Sequence, residues 1–235
     1  MLLANGSIVD VSHSSHPDLY RALRGGGNNF GIITRFDLDL YKQGPVWGGL
    51  HVWPRLPSVT SAITEGFTQF AHEAPSDPHV SLFAGLGYMQ GNFAWAVGQY
   101  DTLGRVEPPI FAQFRNDTER YGAPKIVSTA RIATMSELAD ELNQSEPAGK
   151  RSRFTTATFK ADATLLQTMA SIFVDQVNVA LETSGLGGDK GFAPMLGIQP
   201  LTKNFVEAQA KRGGNVMGVD VKDAPLVGEL KHFGR

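Results

Sequence analysis

The sequence predicts an α+β fold in which helices cover one face of an antiparallel sheet. Residues 58–72 place apolar side chains on one face of a helix, because these side chains recur at helical spacing. Two strand-like runs follow, at residues 79–89 and 92–101, and Gln90-Gly91 separates them as a turn would. Antiparallel strands with helices on one side are typical of the α+β class.

The N-terminal segment predicts a hairpin and a short helix. Asn5-Gly6 lies between the runs MLLA and SIVDV and suits a tight type I′ turn. The run MLLA is short for a strand and would leave an apolar edge open to other chains. Residues 13–23 follow as a helix, with Pro17 in the first turn, where its missing N–H costs nothing, and Asp18 near the positive end of the helix dipole.

A glycine-rich stretch, RGGGNNFG, separates this helix from a predicted strand at residues 31–41. The strand is predicted because apolar and charged residues alternate along it. The next residues, QGPVWGGLHVWPRLP, contain three prolines and three glycines and predict a connection between layers. A boundary near Gly44 therefore divides the chain into domains of residues 1–44 and 45–235. In the predicted strand at residues 31–41, the apolar residues Phe36, Leu38 and Leu40 alternate with the charged residues Arg35, Asp37 and Asp39.

Further helices and strands are predicted along the second domain. They are a helix at residues 135–142, a strand at 153–160, a helix at 163–179, a glycine-rich loop at 184–191, a strand at 192–200 and a short strand at 215–220. The final run, APLVGELKHFGR, contains helix formers and no element that would close the sheet.

Composition excludes several classes of function. The chain has 235 residues, of which 42% are hydrophobic, and its 21 Lys+Arg against 23 Asp+Glu give a net charge of −2. No basic cluster is available for a phosphate backbone, so nucleic-acid binding is not expected. No apolar run is long enough for a membrane span, and no signal peptide is present, so the localisation is not predicted. Cysteine is absent, which excludes disulfides, thiolate metal sites and a cysteinyl bond to a cofactor.

The glycine-rich stretch allows two interpretations. Residues without a Cβ let the backbone approach a ligand closely, but a triple glycine also ends a helix in the left-handed conformation. A dinucleotide-binding G-x-G-x-x-G does not fit, because Phe30 stands at the third glycine position counted from Gly25 and the order of strand and helix is reversed. A Walker-type loop does not fit either, because no Gly-Lys-Ser/Thr follows.

Other chemistry has weaker support in the sequence. The six histidines lack metal-ligand spacing, so no metal site is expected, and no G-x-S-x-G elbow is present for a serine hydrolase. An aromatic pocket could form on one sheet face, although aromatic residues on alternating strands are more often core packing. Its candidate residues are Tyr88, Trp95, Tyr100 and Phe159.

The stretches NGSIVDVS, HPDLYRALRGGGNNFGIITRFDLDLY and QGPVWGG closely resemble the end of the FAD-binding domain in berberine-bridge-enzyme-like FAD-linked oxidoreductases. These are PCMH-type flavoproteins of the vanillyl-alcohol-oxidase superfamily, here of the fungal type. The resemblance is ungapped from Asp18 through Phe36 and continues more weakly through IQPLTKNFVEAQAKRGGN.

The resemblance implies that the backbone along the glycine-rich stretch lies beside FAD, with Gly31, Ile32 and Ile33 as main-chain contacts. It also implies a catalytic base from a tyrosine or carboxylate of the sheet, or from a segment outside this chain; Tyr88, Tyr100 and Glu107 remain open alternatives, and the catalytic residue is unassigned. The residues implied to contact FAD are Gly25, Gly26, Gly27, Asn29, Phe30, Gly31, Ile32 and Ile33.

Other segments typical of the family have no counterpart here. They are an upstream glycine loop that binds the pyrophosphate, a histidine commonly bonded to the flavin, and a C-terminal Tyr-x-Asn-Tyr stretch. The chain is therefore expected to be a fragment of a flavoprotein of fungal secondary metabolism, which transfers a hydride from a small-molecule substrate to FAD. The alternatives are a non-catalytic remnant that associates through an open sheet edge and a binding module without redox chemistry.

Overall fold

A computed structural model describes residues 1–89, 91–115, 118–144, 151–186, 192–219 and 225–234. The chain forms two compact units. Unit 1 contains Met1–Lys42 and Thr202–Asp223, and unit 2 contains Gln43–Leu201 and Ala224–Arg235. Among the described helices, none combines the length and apolar character that a membrane span requires.

Six α-helices and eight strands are assigned within these ranges. The helices are α1 (Pro17–Leu23), α2 (Pro57–Glu73), α3 (Thr118–Tyr121), α4 (Met135–Gln144), α5 (Ala163–Ser184) and α6 (Lys203–Lys211). The strands are β1 (Val46–Pro54), β2 (Val80–Met89), β3 (Asn92–Asp101), β4 (Val127–Ser128), β5 (Arg131–Ala133), β6 (Arg151–Lys160), β7 (Met195–Pro200) and β8 (Pro225–Gly234).

Unit 1 contains the N-terminal turn, α1, the glycine-rich stretch and α6. The chain turns back after Leu3, because the N–H of Gly6 donates to the Leu3 carbonyl at 3.0 Å and the N–H of Leu3 donates to Ser7 at 2.9 Å. Only Gly6 in this turn has a positive φ, of 83°, so the predicted type I′ turn, which needs a positive φ at Asn5 as well, is wrong. The predicted helix is confirmed as α1, with Pro17 at its first position.

Two strands predicted in unit 1 do not form. Residues 31–41 make a single bridge, between Ile32 and Leu2, and the remainder pairs with no described strand. Of residues 215–220, the described residues 215–219 are irregular. Alternation selects which side chains share a face, but a strand also needs a neighbour to pair with, and the described residues of this unit provide none.

Unit 2 is an antiparallel sheet with the order β4-β1-β3-β2-β7-β8-β6, in which β5 also pairs with β1. Trp53 lies opposite Trp95, which lies opposite Leu86, so alternate residues of neighbouring strands form one buried row. This row belongs to the core that contains Phe67 of α2 and Phe173 of α5. The predicted α+β class is confirmed.

Most predicted elements of unit 2 are confirmed with small shifts in their ends. They are α2, the β2–β3 hairpin, α4, β6, α5 and β7. The predicted connection at residues 43–57 is wrong in part, because β1 lies within it. The expectation that no closing element follows in the final run is wrong as well, because β8 pairs with both β6 and β7. The predicted glycine loop at residues 184–191 lies largely outside the described residues.

Candidate cofactor-binding site

The glycine loop, residues 24–31, connects the end of α1 to the bridge between Ile32 and Leu2. The N–H of Gly26 donates to the Ala22 carbonyl at 3.0 Å, which continues the hydrogen bonding of α1 by one turn. The loop then turns sharply, with φ of 107° at Gly25, 67° at Gly27 and 141° at Gly31. These left-handed angles favour glycine at all three positions.

Three of the four glycines in the loop are also required by close contacts within unit 1. A Cβ at Gly25 would lie 2.6 Å from Cγ of Met217, and a Cβ at Gly26 would lie 2.2 Å from the Ala22 carbonyl oxygen. A Cβ at Gly31 would lie 2.4 Å from the carbonyl oxygen of Leu2. Their missing side chains are therefore explained by packing.

Gly27 differs from the other glycines of the loop. The nearest atom to a Cβ built there is Nδ2 of Asn29, at 3.9 Å, so the space beside Gly27 is open. The side-chain amide of Asn29 donates to the carbonyl of Gly26 at 2.7 Å and closes the turn around this point. Gly27 is the glycine of the loop that can face a ligand.

The second half of the glycine loop differs from the first half in its main-chain donors, because the N–H groups of residues 24–26 are hydrogen-bonded to α1. Within the described part of the chain, the N–H groups of residues 27–31 have no hydrogen-bond acceptor. Gly27 through Phe30 are exposed, and Gly31 is half-buried. A run of free main-chain N–H groups next to a left-handed residue can bind oxygen acceptors of a ligand. FAD carries such oxygens in its diphosphate and in its ring carbonyls, so the loop fits the cofactor.

Ile32 and Ile33 follow the loop with different main-chain environments. Both main-chain groups of Ile32 are hydrogen-bonded to Leu2, and its side chain is 65% exposed. Ile33 is half-buried, and among the described residues its N–H has no acceptor. Of these two predicted contacts with FAD, the N–H of Ile32 is already hydrogen-bonded, whereas that of Ile33 has no acceptor among the described residues.

A cavity of about 360 Å³ lies in unit 1, beside α6. Its polar lining comes from Arg21 of α1, Gln209 of α6 and Asn215. Sequence reasoning missed this cavity, because its lining comes from segments that are far apart along the chain and carry no motif.

The four aromatic residues considered for a pocket in unit 2 do not form one cluster. Tyr88 and Trp95 are buried in the core beneath the helices, where Tyr88 packs against Phe93 with ring centroids 5.0 Å apart. Tyr100 belongs to the opposite alternation of β3 and packs against Phe83. Phe159 is half-buried on the edge strand β6. Packing therefore accounts for Tyr88 and Trp95.

The three candidates for a catalytic base are dispersed as well. Burial and, to a smaller extent, the charge of Glu141 raise the pKa of Tyr100 to about 12. This tyrosine is therefore a poor base near neutral pH. Tyr88 is 8% exposed within the core, and Glu107 is exposed with a φ of 46°. No catalytic assignment follows from these positions.

His51 is a buried histidine that sequence reasoning did not single out. It is 3% exposed on β1, and its Nδ1 is hydrogen-bonded to Oγ of Ser128 at 2.9 Å. Burial, and then the charge of Lys125, lowers the pKa of His51 to about 4. Burial also lowers the pKa of Lys125, whose ammonium lies 5.2 Å from the Trp53 ring centroid. In the described ranges, no three His, Cys, Asp or Glu side chains are grouped as metal ligands.

Curated relatives of this chain are fungal FAD-dependent enzymes. The FAD-dependent monooxygenase FUP4 of Fusarium proliferatum is 74% identical over 227 residues, which are 97% of this chain and 44% of that protein. The FAD-dependent monooxygenase tpcD of Cochliobolus heterostrophus is 71% identical over the same shares of the two chains. This chain thus spans less than half the length of these relatives, as expected for a fragment. No protein-family model matches the sequence.

Solved structures of flavoproteins share the fold at low sequence identity. The VAO-type flavoprotein of Myceliophthora thermophila superposes with a TM-score of 0.64 at 18% identity, over 98% of this chain and 42% of its own. The carbohydrate oxidase of Microdochium nivale gives 0.63 at 16% identity, over 99% and 48%. These matches show the fold, and the curated relatives confirm the resemblance to FAD-dependent enzymes. The contacts of individual residues with FAD stay predictions.

Proposed function

We propose that this chain, a homologue of fungal FAD-dependent monooxygenases, is part of an FAD-linked oxidoreductase that acts on a small organic molecule. Unit 1 contributes to the FAD-binding domain through the glycine loop, and the sheet of unit 2 belongs to the substrate domain. When bound, FAD supplies the capacity to accept a hydride from the substrate and to be reoxidised, commonly by oxygen.

The observation that carries this proposal is that the N–H groups of residues 27–31 find no acceptor among the residues that the structure describes. Donors fixed in position before a ligand arrives bind its oxygens without an ordering cost. The loop is held at one end by α1 and at the other by the bridge between Ile32 and Leu2, so its donors keep their place. The task of this chain toward the cofactor is to hold and orient it.

Uptake of FAD by the purified chain tests the proposal. The chain is mixed with excess FAD, separated from free flavin by gel filtration and examined by absorbance. We expect flavin absorbance to elute with the protein, with bands shifted from those of free FAD. A colourless protein peak would overturn the proposal for this chain.

A second candidate function, self-association without catalysis, is favoured by an exposed apolar row in unit 1. Phe36 is 74% exposed, Leu38 78% and Leu40 95%. A segment with exposed apolar side chains at alternate positions, whose main-chain groups find no partner among the described residues, is a template for pairing with another copy of the chain. Sedimentation at increasing concentration distinguishes the two candidates, because a colourless chain that dimerises supports the second and a monomer that binds FAD supports the first.

A further inference from the structure

The segment that follows α6 has a fixed shape of its own. We call residues 212–217 the return loop. Its second and third residues, Gly213 and Gly214, are left-handed, with φ of 91° and 69°. The N–H of Gly214 donates to the Gln209 carbonyl at 3.1 Å. The side chain of Asn215 then accepts a hydrogen bond from the N–H of Met217 at 2.9 Å. Hydrogen bonds to α6 and within the loop hold this shape.

The return loop is hydrogen-bonded to the start of the glycine loop and to the end of α1. The N–H of Val216 donates to the carbonyl of Arg24 at 3.2 Å. The guanidinium of Arg24 in turn donates to the carbonyl of Arg212, and Nε of Arg21 donates to the carbonyl of Asn215 at 3.4 Å. Arginine side chains and main chain thus join two segments that lie far apart in the sequence, at the point where α1 ends.

Met217 completes this contact by covering Gly25. A Cβ at Gly25 would lie 2.6 Å from Cγ and 3.3 Å from Sδ of Met217, so the methionine side chain lies where a residue with a side chain would clash. Gly25 has left the helical conformation, with a φ of 107°, although the N–H of Gly26 still donates to Ala22 of α1. Met217 is therefore in contact with the residue at which the loop turns.

We infer that the return loop is a positioning element for the glycine loop, with Met217 and Arg24 as positioning residues. This inference rests on the proposed function, since it assigns the return loop the task of holding the N–H donors of residues 27–31 in the arrangement that receives the cofactor. Neither residue needs to touch FAD. Loss of the contact should leave the donors present but less ordered, so that binding carries an additional ordering cost.

The test compares Met217→Ala with Met135→Ala in the full chain. Both methionines are about half exposed, at 50% and 52%, and Met135 begins α4, so the control removes the same atoms from the other unit. A third variant, Met217→Leu, keeps the volume of the side chain and should restore the contact. Two readouts are taken. The first is hydrogen exchange, without FAD, of Gly25, Gly26 and Val216, whose N–H groups are hydrogen-bonded to Leu23, Ala22 and Arg24. The second is the dissociation constant for FAD from flavin fluorescence.

The expected result is faster exchange in Met217→Ala and FAD binding weakened by about fivefold. Met135→Ala and Met217→Leu should behave as the unchanged chain. If exchange is unchanged in Met217→Ala, Met217 does not order the glycine loop and the inference is overturned. If exchange is faster but the affinity for FAD is unchanged, the positioning role is overturned while the proposed function stands. Absence of FAD binding in the unchanged chain would overturn the proposed function, and the positioning role with it.

Discussion

Leu2 and Ile32 are joined by two main-chain hydrogen bonds: the N–H of Leu2 donates to the Ile32 carbonyl at 2.8 Å, and the N–H of Ile32 donates to the Leu2 carbonyl at 2.9 Å. The backbones come this close because Gly31 has no side chain, since a Cβ there would lie 2.4 Å from the Leu2 carbonyl oxygen. The N-terminal residues thus fix the end of the glycine loop.

Gly31→Ala should destabilise the chain more than Gly6→Ala does. Both positions have a positive φ, but nothing lies within 4 Å of a Cβ at Gly6, so that variant carries backbone strain without a clash. We expect Gly6→Ala to cost about 1 kcal/mol and Gly31→Ala about 2 kcal/mol more, measured by chemical denaturation. Equal losses would show that the contact with Leu2 is not the reason for glycine at position 31.

Gly27→Ala should weaken FAD binding while Gly6→Ala leaves it unchanged. The two glycines form a matched pair, because both are left-handed, at φ of 67° and 83°, and neither has an atom closer than 3.9 Å to a built Cβ. A methyl group beside the free donors should reduce affinity for FAD by about tenfold, measured by fluorescence titration. The same affinity in both variants would mean that the open side of Gly27 does not face the cofactor.

Periodicity predicted several of the elements whose partners lie within unit 2. α2 and the β2–β3 hairpin present their apolar faces to one shared core, so pattern and packing agree. Residues 31–41 alternate just as clearly, but they find no described strand to pair with. Both the apolar and the charged residues of this alternation are exposed, so the pattern could not show whether a strand forms.

β1 was hidden by its own glycines. Gly48-Gly49 indicated a connection, yet a Cβ at Gly48 would lie 2.4 Å from Cδ1 of Tyr100 on the neighbouring strand. The glycine makes room for a ring across the sheet, which no local pattern reveals. β8 was hidden in a similar way, because residues with helix preference are held as a strand by β7 and β6 on either side.

The glycine loop could be identified from the sequence, but the separate tasks of its glycines could not. Gly25 turns against Met217, which is distant in sequence, and Gly31 against Leu2, so both are occupied by the protein itself. Gly27 remains open. Only the fold separates a glycine that admits backbone or side chain from one that admits a ligand.

The buried His51 should make the chain less stable in mild acid. Its pKa is lowered from 6.5 to about 4 in the folded chain, so the unfolded chain binds more protons between these values. The stability from keeping His51 neutral is complete above pH 6.5 and is lost as the pH falls toward 4, by about 2 kcal/mol between pH 7 and pH 5.

Urea denaturation of the unchanged chain and of His51→Gln at both pH values isolates this contribution. Glutamine cannot take up the proton, so the variant should lose about 2 kcal/mol less than the unchanged chain between pH 7 and pH 5. Equal losses in the two proteins would contradict the assignment of a neutral, buried imidazole.

The N–H groups of residues 27–31, which have no acceptor in the described ranges, are proposed to meet the cofactor. Hydrogen exchange of the chain with and without FAD, resolved to single amides, tests this directly. We expect FAD to slow exchange at residues 27–31 and to leave Ile32, whose N–H is already bonded to Leu2, almost unchanged. Bound FAD that protects other amides while residues 27–31 exchange as before would contradict the central claim.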